Sequence, residues 1–316
     1  MDKLDLAIQD DPILSLFSEI TDGGKEDSIN MTGRANDGYA QVKSPGQKAN
    51  LTAPVEEDQM LKNFFTISER QNVEWEAYVH DKYNLVQDTS SEIIEKIFNT
   101  VYLALTHQIF NFSTATSVTL PGAYSYDLKT PDAVALISAS HTTPSGSTGL
   151  TNVGGTDALS GPALTANILV GQQNMKTSNG NSIPYTPDML IVPNVQPMVE
   201  KAMQITKSDK VESSNNNAIN VYSGGSMKVV VLKRAPFNEL GQYDTTKQYR
   251  WSTADSKMLK KMLKYKWAAR PTVAGKFMDQ ENGDSSYLAL ARFGFGASRW
   301  QGLVQNNSTT APVTSF

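Results

Sequence analysis

The 316-residue sequence contains no cysteine. That absence removes disulfides, thiolate nucleophiles and cysteine-ligated zinc together, and leaves packing or neighbouring molecules to supply stability. Histidine is almost as scarce. His80, His107 and His141 are the three in the chain, and no two stand at the spacing that puts a pair of ligands on one helix face. There is no G-x-S-x-G nucleophile elbow, and no glycine-rich loop carries the Lys and Ser or Thr of a phosphate-binding loop. No catalytic residue, cofactor site or metal site is therefore expected, and the chain reads as a non-enzyme. No run approaches the roughly 18 apolar residues of a membrane span, so no membrane partner is expected either. Positive charge is not in excess: 28 Lys and Arg face 32 Asp and Glu, a net charge of -4, which gives no global case for binding nucleic acid. The acidic start MDKLDLAIQDD lacks the basic and apolar blocks of a secretory signal, which points to synthesis in the cytoplasm.

What is present is organised around Thr89 to Phe112. Ile94, Ile97, Phe98, Val101, Leu105 and Ile109 recur at three- and four-residue steps, the period of one helical stripe, and neither Gly nor Pro interrupts them. Thr89 and Glu92 have the spacing of a capping box, which predicts the helix start. A single apolar stripe of this length needs a sheet or helix to lie against. The polar side of the same helix, with Tyr102 and Gln108, is expected to face neighbouring subunits. The strand-like run Tyr287, Ala289, Ala291, Phe293 and Phe295 is the expected intramolecular partner of the stripe.

Before the helix, Ile13, Leu14, Leu16, Phe17 and Ile20 predict a turn or two of helix in an arm. Residues 21–54 are too rich in Gly, Asp, Asn, Lys and Ser to build a core. Val73, Trp75, Ala77 and Val79 alternate with Glu74, Glu76, Tyr78 and His80, which predicts a strand, with Tyr39, Gln41 and Lys43 on its antiparallel partner. A two-stranded arm of this kind is marginal alone, so Trp75 and Phe64 are expected either to lie on a neighbour or to pack back on their own domain. After the helix come a strand and turn over 117–128, a buried strand AVALIS at 133–138, and a helix capped by Ser160 with Pro162 in its first turn. Leu164, Ile168, Gln172 and Met175 mark one face of that helix. A strand MLIVP at 189–193 and a helix from Gln196 to Thr206 follow. The alternation predicts an α+β fold.

Ser140 and His141, Thr151 and Asn152, Leu159 and Ser160, Ile191 to Pro193, and Val199 to Ala202 occur in an order and spacing that resembles the Mu-like major head subunits of tailed bacteriophages. The resemblance implies an HK-97-like capsid fold with an N-terminal arm (1–35), an extended two-stranded loop (36–86), and a peripheral domain carrying a long spine helix (87–186). An axial domain (187–275) and a return to the peripheral domain (276–316) complete it. It also implies self-assembly as pentamers and hexamers into an icosahedral shell enclosing double-stranded DNA. Portal, decoration or scaffold proteins would be partners, and the protein would reside in the virion after assembly in the host cytoplasm. Phe64, Trp75, Ile94, Ile97, Val101, Tyr102, Leu105 and Gln108 are the candidate assembly residues. An encapsulin-type compartment is the nearest alternative, and a soluble hydrolase using Ser140 and His141 is a remote one.

The stretch from Trp251 to Lys276 departs from that family in being more basic and more helical. Lys257, Lys260, Lys261 and Lys264 fall at helical spacing opposite Met258, Leu259, Met262, Leu263 and Trp267. The basic face is expected to meet packaged DNA or an acidic arm of a neighbour, or simply to be solvated.

Overall fold

The computed structural model describes residues 11–21, 28–31, 34–35, 55–56, 60–80, 85–177, 179–209, 220–278 and 284–313. A one-turn helix α1 (Ile13–Leu16) leads into β1 (Ser18–Glu19). Strands β2 (Ser28–Met31) and β3 (Arg34–Ala35) run antiparallel to β5 (Met60–Asn63) and β4 (Val55–Glu56) respectively, a two-stranded pairing made by other residues than the expected ones, since Val73 pairs with Ser285 instead. Tyr39, Gln41 and Lys43 lie outside the described residues. Strand β6 (Phe65–Val73) and a short helix α2 (Trp75–Val79) precede the long helix α3 (Leu85–Thr106), which runs on as a π-helical turn over His107–Asn111. The hairpin β7 (Ser117–Leu120) and β8 (Tyr124–Asp127) follows, then β9 (Val153–Gly155), α4 (Gly161–Asn174), β10 (Met189–Pro193), α5 (Gln196–Lys207) and β11 (Lys228–Leu232). The chain ends with β12 (Trp251–Ala254), α6 (Ser256–Met262), β13 (Leu263–Met278), β14 (Ser285–Ala297) and β15 (Leu303–Asn306).

These elements build two main sheets and three two-stranded ones in an α+β fold. The first has four strands in the order β1-β13-β14-β6. Helix α3 lies on it, and Ile93 and Ile97 are buried against Ala289 and Ala291 of β14. Alanine at those two positions gives a helix room to approach the strand, and each fully buried isoleucine is worth about 1.5–3 kcal/mol. Farther along, Phe98 meets Trp267 edge-on at 5.9 Å, and Phe293 and Phe295 continue the inward face of β14. The expected pairing of the α3 stripe with Tyr287–Phe295 is therefore present, with Ile93 as an additional core residue.

The second sheet has five strands in the order β11-β10-β12-β15-β9. All five residues of β10 are buried, flanked by parallel β11 and antiparallel β12. Helix α5 covers it with Met198, Ala202 and Ile205, and α4 with Leu164. The Ser160 cap forms as expected, its hydroxyl accepting from Ala163 N at 3.3 Å. A Cβ on Gly171 would fall 2.3 Å from the Tyr185 ring, so only glycine lets α4 reach this depth. The two sheets exchange segments along the chain. β9 and β15 join the five-stranded sheet from outside 187–275, while β13 leaves that stretch for the four-stranded sheet.

Several expectations are corrected. Helix α3 begins at Leu85, so Thr89 lies inside it and the Thr89–Glu92 capping box does not form; LVQD contains neither Gly nor Pro to stop the helix extending over it. Strand β6 stops at Val73, opposite Ser285 where β14 begins, and Trp75–Val79 is helical, beyond the end of that ladder. AVALIS is a buried loop rather than a strand: Ala133 has φ 64°, Ile137 N donates to Ser113 O at 2.8 Å and Ser138 N to Asn152 Oδ1 at 2.9 Å. On α4, Gln172 points outward. The basic stretch is helical only over α6. From Leu263 it becomes a 16-residue strand, with Pro271 and Gly275 excluding a helix and three register shifts absorbing the irregularity. Lys264 is thus on β13, paired with Ser18.

Candidate functional site

The candidate assembly residues divide by exposure. Ile97, Val101 and Leu105 are fully buried in the chain's own core and Ile94 is half-buried. Tyr102 and Gln108 are also buried, which corrects the expectation of a polar helix face turned outward. Tyr102 lies beneath the Arg234 guanidinium, 4.8 Å from its ring centroid, and burial pushes its phenol up to about 12. Gln108 Nε2 donates to Leu128 O at 3.2 Å. Arg234, absent from the sequence reading, is the hub here. It pairs with Asp11, bonds Asn99 Oδ1, and its carbonyl accepts from Asn111 Nδ2. Asp11 in turn accepts from Ile13 N, so this ion pair and α1 fasten the N-terminal segment to α3.

Phe64 packs inward. It meets Ile29 at the root of the hairpin, with Arg292 5.7 Å above its ring. Trp75 remains 53 % exposed, as do Val79, Phe277 and Met278 to similar degrees. Ladder register brings Val73 and Met278 to opposite sides of Ser285, so this end of the four-stranded sheet carries the exposed apolar side chains.

The three histidines are widely different in setting. His80 is exposed at the end of α2. His107 is buried at the π-helical turn, its Nδ1 3.2 Å from Asn111 Nδ2. Burial, with the nearby Lys247 ammonium, holds its imidazole down at about 3. His141 is also fully buried. Its Nδ1 is 2.7 Å from Asp132 Oδ2, and its Nε2 faces Leu136 O and Asn152 Oδ1 at 3.2 Å each. Burial pushes the Asp132 carboxyl up, but hydrogen bonds from His141, Thr130 and Thr142 N outweigh it and leave the group below the usual range. Ser140 bonds Ser138 Oγ and makes no bond with His141, so this geometry does not activate a hydrolytic dyad. Asn152 belongs to the sequence pattern around His141. Asp132 and Trp300 do not, and only the fold brings them there.

The basic face is concave. Lys260, Lys261, Lys264 and Arg299 line an open cleft of about 440 Å³ with Ser18 and Glu19. A second cleft of about 440 Å³ adjoins it, sharing Lys261 and Arg299. Lys257 stands on the first turn of α6, where the Asp255 carboxylate accepts from the backbone N–H groups of Lys257 and Met258. Among the described residues no group of three or more His, Asp or Glu is arranged to hold a metal ion, and no helix is long and apolar enough to cross a membrane.

No protein-family profile matches the sequence, and no curated protein does. Solved structures do. The α+β fold is similar to that of phage capsid proteins. The capsid of Myoviridae phage XM1 has a TM-score of 0.54 at 10 % identity, covering 93 % of this chain and 90 % of that one. The mature capsid of bacteriophage PhiM1 gives 0.53 at 13 %, over 95 % and 87 %. The capsid of an empty GTA particle gives 0.53 at 8 %, over 94 % and 89 %. At these identities the likeness is one of fold.

Proposed function

We propose that the chain is the major capsid protein of a tailed phage, with the HK-97-like fold of the Mu-like group. Copies assemble as hexamers and pentamers into an icosahedral shell around double-stranded DNA. The observation that carries this reading is the near-complete likeness in both directions, 93 % of this chain against 90 % of the XM1 capsid subunit. The anatomy supports it. The hairpin of β2 to β5 stands outside the two main sheets, and Trp75 leaves an aromatic surface exposed. Both suit a subunit that lends segments to its neighbours, where modest contacts repeated around closed symmetry sum to a durable shell. In this reading α3 is the spine, the four-stranded sheet is peripheral and the five-stranded sheet axial. Portal, decoration or scaffold proteins are further partners, and the site of action is the virion after assembly in the host cytoplasm.

Negative-stain electron microscopy with sedimentation velocity on the expressed full chain tests it. Closed shells, tubes or capsomer rings are expected. A monodisperse monomer at every protein concentration refutes the proposal. Protein cargo in place of DNA in particles from phage-producing cells would assign the shell to an encapsulin-type compartment instead.

A further inference from the structure

Resting on the capsid reading, and naming the place where DNA meets this chain, we propose that the cleft around Lys261 and Arg299 binds the phosphodiester backbone of duplex DNA. Four cations, Lys260, Lys261, Lys264 and Arg299, converge on it in a protein whose net charge is -4. The acid on its rim, Glu19, is held by Arg270 at 2.9 Å. No acidic side chain among the described residues pairs with Lys257, Lys260, Lys261 or Lys264. Lys260 and Lys261 on α6 and Lys264 at the start of β13 line the same cleft, so like charges are gathered on one wall. A polyanion relieves that repulsion.

The lining chooses between polyanions. No aromatic side chain lines either cleft, so unpaired bases have nothing to stack on, as single-strand binding requires. The lysine ammoniums and the hydroxyls of Thr177 and Ser182 suit phosphate oxygens. The contact so proposed is with the backbone and independent of sequence. The adjoining clefts share Lys261 and Arg299 at their junction, so a linear array of phosphates can run from one into the other.

The test is filter binding of the full chain to a mixed-sequence DNA duplex between about 50 and 200 mM salt. The three cleft lysines neutralise three phosphates, which gives a slope of log K against log salt of about -2.7 that K260Q/K261Q/K264Q should remove. K228Q, at an exposed lysine on β11, should leave the slope unaltered. A triple variant with the wild-type slope, or a K228Q effect equal to one cleft lysine, overturns the proposal. So does polyaspartate displacing bound duplex at matched charge from the wild type and the triple variant alike. Polyaspartate that binds the wild-type cleft where duplex does not would assign the cleft to an acidic protein segment and also overturn it. Microscopy of the same samples separates the two readings. Shells with unaltered slopes sink the cleft alone, whereas slopes that fall as expected without shells sink the capsid reading alone.

Discussion

The imidazole of His141 lies flat on the indole of Trp300, ring centroids 4.4 Å apart and planes 5° from parallel. With Asp132 on one ring nitrogen and Asn152 on the other, the stack pins the loop after β8 to the turn between β14 and β15. His141→Ala leaves the Asp132 carboxylate buried without its main partner and opens a void beside Trp300. A loss of about 3–5 kcal/mol in urea unfolding is expected. Because the Asp132 carboxyl lies below its ordinary range when folded, its contribution is present above that range and lost as pH falls through the lowered value. The gap between wild type and variant should therefore narrow in strong acid. A His141→Ala variant as stable as wild type at pH 7 would show that the stack holds nothing together.

How far these features were legible depends on whether their cause is local. The α3 stripe, the alternation of β14 and the Ser160 cap are written in neighbouring residues, and each forms as the spacing predicts. Trp75 and Lys264 were misread for one reason: a short amphipathic run fits either period, and the choice is made by where a distant strand begins or ends. Trp75 leaves the ladder because β14 starts opposite Val73, and Lys264 joins one because Ser18 pairs with it. Arg234 and Arg299 carry no pattern of their own, so only the fold reveals the Asp11 clasp and the cleft.

His107 supplies a pH dependence of opposite origin to that of Asp132. Its imidazole titrates near 3 in the folded protein, against 6.5 when exposed, because burial penalises the cation. The unfolded chain thus binds the extra proton between those values. Stability is full above 6.5 and falls with acidification at up to about 1.4 kcal/mol per pH unit. Urea midpoints from pH 6.5 down to 5, above the titration of most carboxylates, should fall more steeply for wild type than for His107→Leu. The maximum difference over that interval is about 2 kcal/mol. Parallel curves would mean that the folded protein accommodates the charge.

Ile97 tests the spine itself. It is buried between α3 and the two alanines of β14, so Ile97→Ala should cost about 2–5 kcal/mol. Glu95→Ala, on the exposed side of the same helix, should alter stability by less than about 0.5 kcal/mol. Equal midpoints for the two variants would place the wrong face of α3 in the core.

Gly294 sets how the hairpin is seated. A Cβ there would lie 2.9 Å from Ile29 Cδ1 and 3.0 Å from Phe64 Cδ1, so a branched side chain must displace both at the hairpin root. Gly294→Val should cost about 1–3 kcal/mol by overpacking. The loss should be local, with hydrogen exchange accelerating in β2 and β5 while β10 and β12 keep their protection. Uniform acceleration across both sheets would show that the hairpin root is part of the global core.

Trp75 separates assembly from folding. Its side chain is 53 % exposed at the end of the sheet that also exposes Phe277 and Met278, so Trp75→Ala should leave the unfolding free energy within about 0.5 kcal/mol of wild type. At a subunit contact the same side chain would be a buried aromatic anchor, the kind whose truncation costs about 2 kcal/mol or more. Repeated over every copy in a closed shell, that cost should move the concentration at which shells appear, measured by light scattering, upward by an order of magnitude or more. Phe277→Ala should act in the same direction, and His80→Ala, exposed at the end of α2, should not. If Trp75→Ala assembles at the wild-type concentration, this patch faces solvent in the shell and the contacts are made elsewhere. If it lowers the unfolding midpoint as well, the indole supports the monomer and the assembly defect is secondary.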